Sequence, residues 1–315
     1  MTLTQLSAFV LVARLGSVKA AADALSVSEP AVSQAIAALR KYLGDPLLTR
    51  GGSGMVMTPG GQRLLTIAAQ VVALGAEAET AVRSANGAPE PLRLVATSSA
   101  VEFVLGPLAE AFGARSSGRI EVSTGVAATS EMSALVSQRL ADVALGPDLS
   151  GDRGMGLVSE PIFRAQMVVL GAPGTRLRGA PVDWSWLVDS EATDPGTDVA
   201  RLLRALGIPE SRLRVFPNQT AAWDAAAGGA GVTPALAHLA VHRTRRRELA
   251  VVDVPGTPKE VVWHATTLTL DRRSAAAGSM RHFLSTPEAM KLLRSPGSGV
   301  PPSRFRPPIY VTIWN

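Results

Sequence analysis

The 315-residue chain contains no cysteine. Disulfide frameworks, thiolate metal sites and cysteine nucleophiles are therefore excluded, and nothing in the sequence points to an oxidising compartment. Aromatic residues make up only 4% of the chain and charged residues 18%, against a 46% hydrophobic share supplied mainly by Leu, Val and Ala. That hydrophobic share excludes a disordered chain, and the length accommodates two domains that each bury a core. The four histidines are scattered late in the chain, and no Walker phosphate loop, nucleophile elbow or zinc-type His-Glu pair is present. No catalytic residue, metal or cofactor is expected. Arg14 and Lys19 interrupt the apolar N-terminus well short of a membrane span, and it has no basic start or small-residue cleavage site, so a cytoplasmic protein without a membrane partner is expected.

What is present begins with a formal net charge of +5. The surplus permits a nucleic-acid partner, yet much of it sits in His242-Arg243-Thr244-Arg245-Arg246-Arg247, a run that reads as the solvated end of a helix or as a phosphate or partner contact. The first 58 residues are more informative. Thr2-Leu3-Thr4-Gln5 has capping-box spacing, Leu6, Phe9, Val10 and Ala13 follow at helical intervals, and Gly16 stands where that helix must stop. Ser17 suits the cap of a second helix, Val18 to Leu25, whose alanines let another helix cross closely. After Leu25-Ser26-Val27, Ser28 opens a third helix, ended by Gly44-Asp45-Pro46, with Val32, Ile36, Leu39 and Leu43 on one stripe. Ser28, Glu29, Ser33, Gln34 and Lys41 lie off that stripe.

Two helices joined by a short turn, the second with small polar side chains in its first turns, match a helix-turn-helix that presents its recognition helix to the major groove. Gln34 suits bidentate reading of adenine, Ser33 suits several base edges or a phosphate, and Pro30 fixes the helix start. Plain capping accounts for Ser28 and Pro30 equally well, and an exposed surface role accounts for Gln34. Leu47 to Arg50 and Met55 to Met57 flank Gly51-Gly52-Ser53-Gly54 as two strands of a wing, placing Arg50 beside a phosphate or in a surface ion pair.

These residues carry a resemblance. The runs Gln5-Leu6-Ser7-Ala8-Phe9-Val10, Gly16 to Leu25 and Val27 to Ile36, with Leu39, Leu43-Gly44, Leu47-Leu48, Arg50 and Thr58-Pro59-Gly60-Gly61, resemble the signature of LysR-type transcriptional regulators. The resemblance implies a winged helix-turn-helix that binds double-stranded DNA, here through Ser17, Lys19, Ser28, Glu29, Pro30, Ser33, Gln34 and Arg50. Two positions depart from the family pattern. Glu29 stands where the family usually carries Gln, and Leu48-Thr49-Arg50 where Phe-Glu/Asp-Arg is common. A glutamate repels phosphates and can only accept from a base donor such as the cytosine amino group, which leaves the base preference at that step open.

Thr58-Pro59 is an N-cap followed by proline at the first helical position, opening a helix that runs to about Ser84. Leu64, Ala68, Val71, Gly75, Ala78 and Val82 alternate at spacings of four and three, a coiled-coil-like seam that packs either on a second copy or on its own domain. The family resemblance implies a linker-helix homodimer, commonly assembled into a homotetramer. Asn86-Gly87-Ala88-Pro89-Glu90-Pro91 then breaks the helix. The expected organisation is a DNA-binding domain at 1–58, a linker helix at 59–86, a hinge at 87–91, an α/β domain at 92–294 and an irregular tail at 295–315.

From Leu92 onward, strand-like runs alternate with helical stretches, which predicts an α/β domain with a largely parallel sheet. The expected order is Leu92 to Ala96, Val101 to Phe112, Ile120 to Val122, Met132 to Leu140 and Asp142 to Gly146. A second set follows at Ala165 to Leu170, Trp186 to Val188, Val199 to Leu206, Leu213 to Phe216, Ala221 to Ala227 and Gly231 to Pro234. The pattern resembles the LysR-type effector domain, a two-lobed architecture like that of periplasmic binding proteins. Lobe 1 falls at about 92–160 and 266–290, lobe 2 at about 161–265. Val261 to Thr266 would return to the first lobe and Ala275 to Leu284 would close it.

Ligands in such lobes sit beyond the carboxyl ends of strands, where loops and helix N-termini present N–H groups. Thr97, Ser98 and Ser99, then Ala128, Thr129 and Ser130, are the candidates in the first lobe, the last three at a place where the family often binds its effector. Phe163, Thr197, Thr220 and His264 are the candidates across the cleft. Ordinary capping explains any one of these hydroxyls, so their convergence on one cavity is what matters. The expected ligand is a small anionic or polar effector that closes the lobes and alters DNA bending or contact with RNA polymerase. An α/β enzyme, a cofactorless hydrolase carrying a DNA-binding module, is the rival reading, since fold alone does not decide function.

Overall fold

A computed structural model describes residues 1–51, 54–151, 155–175 and 177–294. The expected tail at 295–315, the Gly52-Ser53 turn of the wing and the Arg50 side chain lie outside the described residues. The chain divides into two compact units, Met1–Glu90 with Ser137–Leu140, and Pro91–Val136 with the chain from Ala141 onward.

The first unit opens with α1 (Leu3–Leu15), held by the capping box: Thr2 N donates to Gln5 Oε1 at 2.9 Å and Gln5 N to Thr2 Oγ1 at 3.3 Å. The helix ends where Gly16 turns left-handed at φ +63°. α2 (Val18–Leu25) starts under Ser17, whose Oγ accepts from Ala20 N at 3.3 Å, and α3 (Glu29–Leu43) starts under Ser28. β1 (Leu48–Gly51) and β2 (Gly54–Met57) pair antiparallel, and α4 (Pro59–Ala85) follows. Leu6, Phe9, Val12, Ala21, Ala22, Val32, Ile36, Leu39, Leu47, Leu48, Ala68 and Ala69 form its core. Each large side chain so buried contributes about 1.5–3 kcal/mol relative to exposure. Leu43 does not join them: in the last turn of α3, beyond that core, it is 40% exposed.

The start of α4 is locked to the wing. Thr58 Oγ1 accepts from Gly61 N at 2.9 Å and donates to Asp45 Oδ1 at 2.7 Å, and Leu47 N donates to the same oxygen at 2.6 Å. These bonds hold the Asp45 carboxyl below its ordinary range, the Leu47 backbone bond contributing most. A Cβ at Gly61 would collide with the Leu47 carbonyl, which is the local reason for a glycine there. The predicted seam of α4 divides in two. Ala68 and Leu64 pack in the unit's own core and Gly75 lies against Leu3, because α1 crosses that side of the helix. The apolar positions left to solvent are Ile67, Val71, Leu74 and Val82, with Ile67 61% and Val82 64% exposed. By length and composition α4 is apolar enough to cross a membrane, but its buried side chains serve this core.

The second unit begins with β3 (Glu90–Ala96), α5 (Ser98–Ala100), a π-helical turn (Val101–Leu105) and α6 (Gly106–Arg115). β4 (Ile120–Val126), α7 (Thr129–Ser137), β5 (Val143–Gly146) and the 15-residue β6 (Leu157–Gly171) follow. Then come β7 (Trp186–Val188), α8 (Asp198–Ala205), β8 (Leu213–Val215), α9 (Gln219–Ala227), β9 (Thr233–Leu236), α10 (Val241–Arg245) and β10 (Ala250–Val252). β11 (Lys259–Leu268), α11 (Ala275–Leu284) and α12 (Pro287–Arg294) complete the described chain.

Seven strands form one sheet in the order β10-β6-β11-β5-β3-β4 with β9 also on β6, while β7 and β8 pair separately. The sheet is mixed rather than largely parallel. β3 and β5 run parallel, but β11 is antiparallel to both β5 and β6, and β6 is antiparallel to β9 and β10. The physical reason is the pair of long strands that carry the chain between the lobes. Sequence pattern shows only the apolar end of β6, Ala165 to Leu170, because its first half, Val158-Ser159-Glu160-Pro161, faces partly to solvent and lacks an apolar run. The register shifts between Trp263 and His264, opposite Phe163 and Pro161, leaving Ile162 as an extra residue that bends the pair. A bidentate fork from Arg93 to Asp142, 2.9 and 3.0 Å, ties β3 to the segment before β5.

Candidate DNA-binding face and effector cleft

Ser28 Oγ accepts from Ala31 N at 3.4 Å, satisfying one of the free N–H groups at the start of α3. Pro30 occupies the first turn, where its missing N–H has no helical partner to lose. Glu29, Ser33 and Gln34 project from the same end and are exposed, as is Lys19 on α2. Among the described residues these four side chains take no hydrogen-bond or ion-pair partner, so their polar groups remain for an external one. Ser17 is both a cap of α2 and half-exposed on that end.

The second unit has a cleft, partly open to solvent, with about 540 Å³ of empty space. Four of the ten residues expected at an effector site line it: Thr97, Ser99, Thr129 and Thr197. The other six do not, each for a local reason. Ser98 is buried beside the lining. The Ala128 carbonyl accepts from Glu131 N and Met132 N to start α7, and Ser130 faces solvent on that helix. Phe163 packs edge-on with His238, ring centroids 4.9 Å apart, and behind Trp263 at 6.0 Å. Thr220 is taken up by Glu102. His264 does not line the cavity, although Val261, Val262 and Trp263 before it on β11 do; it lies just past the register shift, and its Nδ1 is 3.2 Å from the Val262 carbonyl.

Sequence reasoning missed the carboxylates. Ser99 N and Oγ both donate to Glu191 Oε1, at 2.8 and 2.9 Å. Thr129 N donates to Asp194 Oδ2 at 2.6 Å, and Gln219 N and Thr220 N donate to the two oxygens of Glu102, each at 2.9 Å, with Thr220 Oγ1 joining them. Burial pushes the Glu102 and Glu191 carboxyls up, against the pull of these bonds. Burial, then the negative charge of Glu191, pushes Asp189 well above the ordinary range. His238 is held down at about 4 by burial, and neither ring nitrogen has a partner. One signal was visible beforehand: Glu102 is a lone charge in the apolar run Val101-Glu102-Phe103-Val104-Leu105, which demands a buried partner.

Residues 3–62 match the family described as "Bacterial regulatory helix-turn-helix protein, lysR family", and residues 85–286 match "LysR substrate binding domain". An uncharacterized HTH-type transcriptional regulator of Mycobacterium tuberculosis is 34% identical over 323 residues, covering 100% of both chains. Among solved structures, full-length OxyR from Pseudomonas aeruginosa, carrying one cysteine-to-aspartate substitution, aligns with a TM-score of 0.62 at 18% identity, over 90% of this chain and 98% of that one. CbnR complexed with its target DNA aligns with a TM-score of 0.58 at 20% identity, over 90% of this chain and 99% of that one. These likenesses agree with the winged helix-turn-helix and the two-lobed α/β domain described above. The chain belongs to the LysR family and is a DNA-binding transcriptional regulator with an effector-binding domain.

Proposed function

We propose that this regulator reads a dyad-symmetric promoter site as a homo-oligomer in the cytoplasm, inserting the N-terminal end of α3 into the major groove. Gln34 and Ser33 read base edges, Glu29 accepts from a base donor, and Ser17, Lys19, Ser28, Pro30 and Arg50 position the protein on the backbone. The observation that carries this reading is the exposed, uncommitted polar end of α3 on a capped and well-packed helix. Residues 1–58 serve as the DNA-binding domain, 59–86 as the linker, 87–91 as the hinge and 92–294 as the sensor, and the exposed row Ile67, Val71, Leu74 and Val82 meets a second copy in a dimer or tetramer. A small polar metabolite in the cleft favours one assembly state over another and so changes DNA bending or contact with RNA polymerase. In this reading the cleft binds and does not catalyse.

Footprinting on the DNA upstream of the protein's own coding region, at fixed salt, tests the proposal. Protection of a dyad site is expected, with Gln34→Ala costing about 1–3 kcal/mol at one base position. Equal loss of affinity for every sequence would remove Gln34 from base reading, and absence of any protected site would overturn the promoter-binding model.

A further inference from the structure

Most donors expected to meet an anion in the cleft are already bonded to the protein, the Ser98 and Thr129 hydroxyls excepted. Ser99 is held by Glu191, Thr129 by Asp194, and Gln219 and Thr220 by Glu102. Each carboxylate reaches across from one lobe to a donor of the other and occupies the place an anionic ligand would take. An added anion would have to displace one of them and remain beside the others. Among the described residues no Lys, Arg or His lines the cavity, whereas Glu191 and Asp198 do. Asp198 is neutralised by Lys259 and Arg201, both at 3.1 Å. Glu191 is not: among the described residues, Glu102, Asp189, Glu191 and Asp194 form no ion pair with any base. Asp189, 1% exposed, leaves its Oδ2 without a hydrogen-bond partner behind this group. The rest of the wall is apolar, with Met167, Leu236 and the ring of Trp263. A cleft with an aromatic wall and a lining carboxylate that no base neutralises selects for positive charge, and among the described lining side chains the Thr129 hydroxyl is the buried polar group left without a hydrogen-bond partner.

We infer that the cleft takes an organic cation, a protonated amine or guanidinium on a short apolar body, whose charged end pairs with Glu191 while its body lies against Trp263. The inference rests on reading the cleft as the effector site and names the chemistry of its ligand. A cationic donor bonds the lone pairs that Ser99 leaves free on Glu191 and neutralises the one lining carboxylate without a base. Among the described residues no group of three or more His, Asp or Glu side chains is arranged to hold a metal ion, which favours an organic donor over a bare cation.

The test is calorimetric titration and thermal unfolding of the full chain with butylammonium, agmatine, butyrate and benzoate at matched ionic strength and neutral pH. Butylammonium and agmatine are expected to bind and raise Tm with concentration, while the two carboxylates leave it unmoved. Glu191→Gln keeps an acceptor for Ser99 but removes the charge, and is expected to weaken the amines roughly ten- to a hundredfold. Trp263→Leu is expected to weaken them by a smaller factor. Binding of butyrate or benzoate in preference to the amines, no response to either amine, or undiminished amine binding by a folded Glu191→Gln protein would each overturn the inference. Should Glu191→Gln fail to fold, the selectivity of the wild-type protein between butylammonium and butyrate decides. A footprint on the upstream DNA in the same preparation separates the outcomes: protection without an amine response sinks the cation alone, and no protection sinks the promoter-binding reading.

Discussion

The recognition helix and the effector cleft are both furnished with short polar side chains, yet they use them in opposite ways. On α3 the caps are satisfied locally and Glu29, Ser33 and Gln34 stand exposed and uncommitted. In the cleft, Ser99, Thr129 and Thr220 are bound to carboxylates of the same chain. The difference follows from burial. Water satisfies an exposed hydroxyl or amide until DNA replaces it, whereas an unpaired donor in a cavity costs about 1–3 kcal/mol. Most buried donors in the cleft therefore take internal partners, the Ser98 and Thr129 hydroxyls excepted, and a ligand must fit what those partners leave over.

The comparison is broken most severely at Phe9, which is fully buried in the core of the first unit. Phe9→Ala is expected to cost that unit about 3–5 kcal/mol through lost transfer energy and a residual cavity. Residues 1–90 contain no tryptophan, whereas four of the five tryptophans, Trp184, Trp186, Trp223 and Trp263, lie in the second unit, so fluorescence reports chiefly on the second unit. Circular dichroism should therefore show an early, partial loss of helix in denaturant while the fluorescence midpoint stays in place. A fluorescence midpoint that moves with the helical signal would show that the two units unfold as one.

His238 sharpens the contrast from the other side, because no histidine precedes it in the chain. Burial among Phe163 and Trp263 holds its pKa at about 4 against an ordinary 6.5. The native protein therefore resists a proton that the unfolded chain accepts. Its contribution to stability is whole above pH 6.5 and is lost as pH falls from there toward 4, up to about 3 kcal/mol. Glu102, Asp189 and Glu191 act with the opposite sign, since raised carboxyls favour the native state as they become protonated. Comparing His238→Phe with the wild type cancels their effect. The variant should lose less stability on acidification by tryptophan fluorescence, and parallel pH profiles for the two proteins would show that His238 is not held neutral.

What was legible in the sequence divides along the same line. Capping bonds at Thr2, Ser17, Ser28 and Thr58 join residues three apart, and all four appear where local pattern placed them. The closing helix Ala275–Leu284 has the predicted bounds, for it too is set by a cap and a local apolar stripe. The cleft was legible only as a set of hydroxyls after strands. The carboxylates that complete it lie 92, 65 and 117 residues from Ser99, Thr129 and Gln219, and no periodicity connects groups that only the folded sheet brings together. The sense of β11 against β5 was hidden for the same reason, since strand pattern carries burial but not direction.

The smallest effect tests the boundary between the two uses of a hydroxyl. Ser28 caps α3 through Ala31 N and also stands at the face proposed to meet DNA. Ser28→Ala should destabilise the first unit by about 1 kcal/mol, whereas Ser28→Asn restores the cap with a longer side chain. Urea denaturation followed by circular dichroism reads the capping role, and footprint titration at one salt concentration reads the DNA role. If Ser28 only caps, asparagine restores stability and affinity together. If its hydroxyl also meets the duplex, asparagine restores stability while affinity stays low, because its longer amide cannot occupy the same contact with the helix start unchanged.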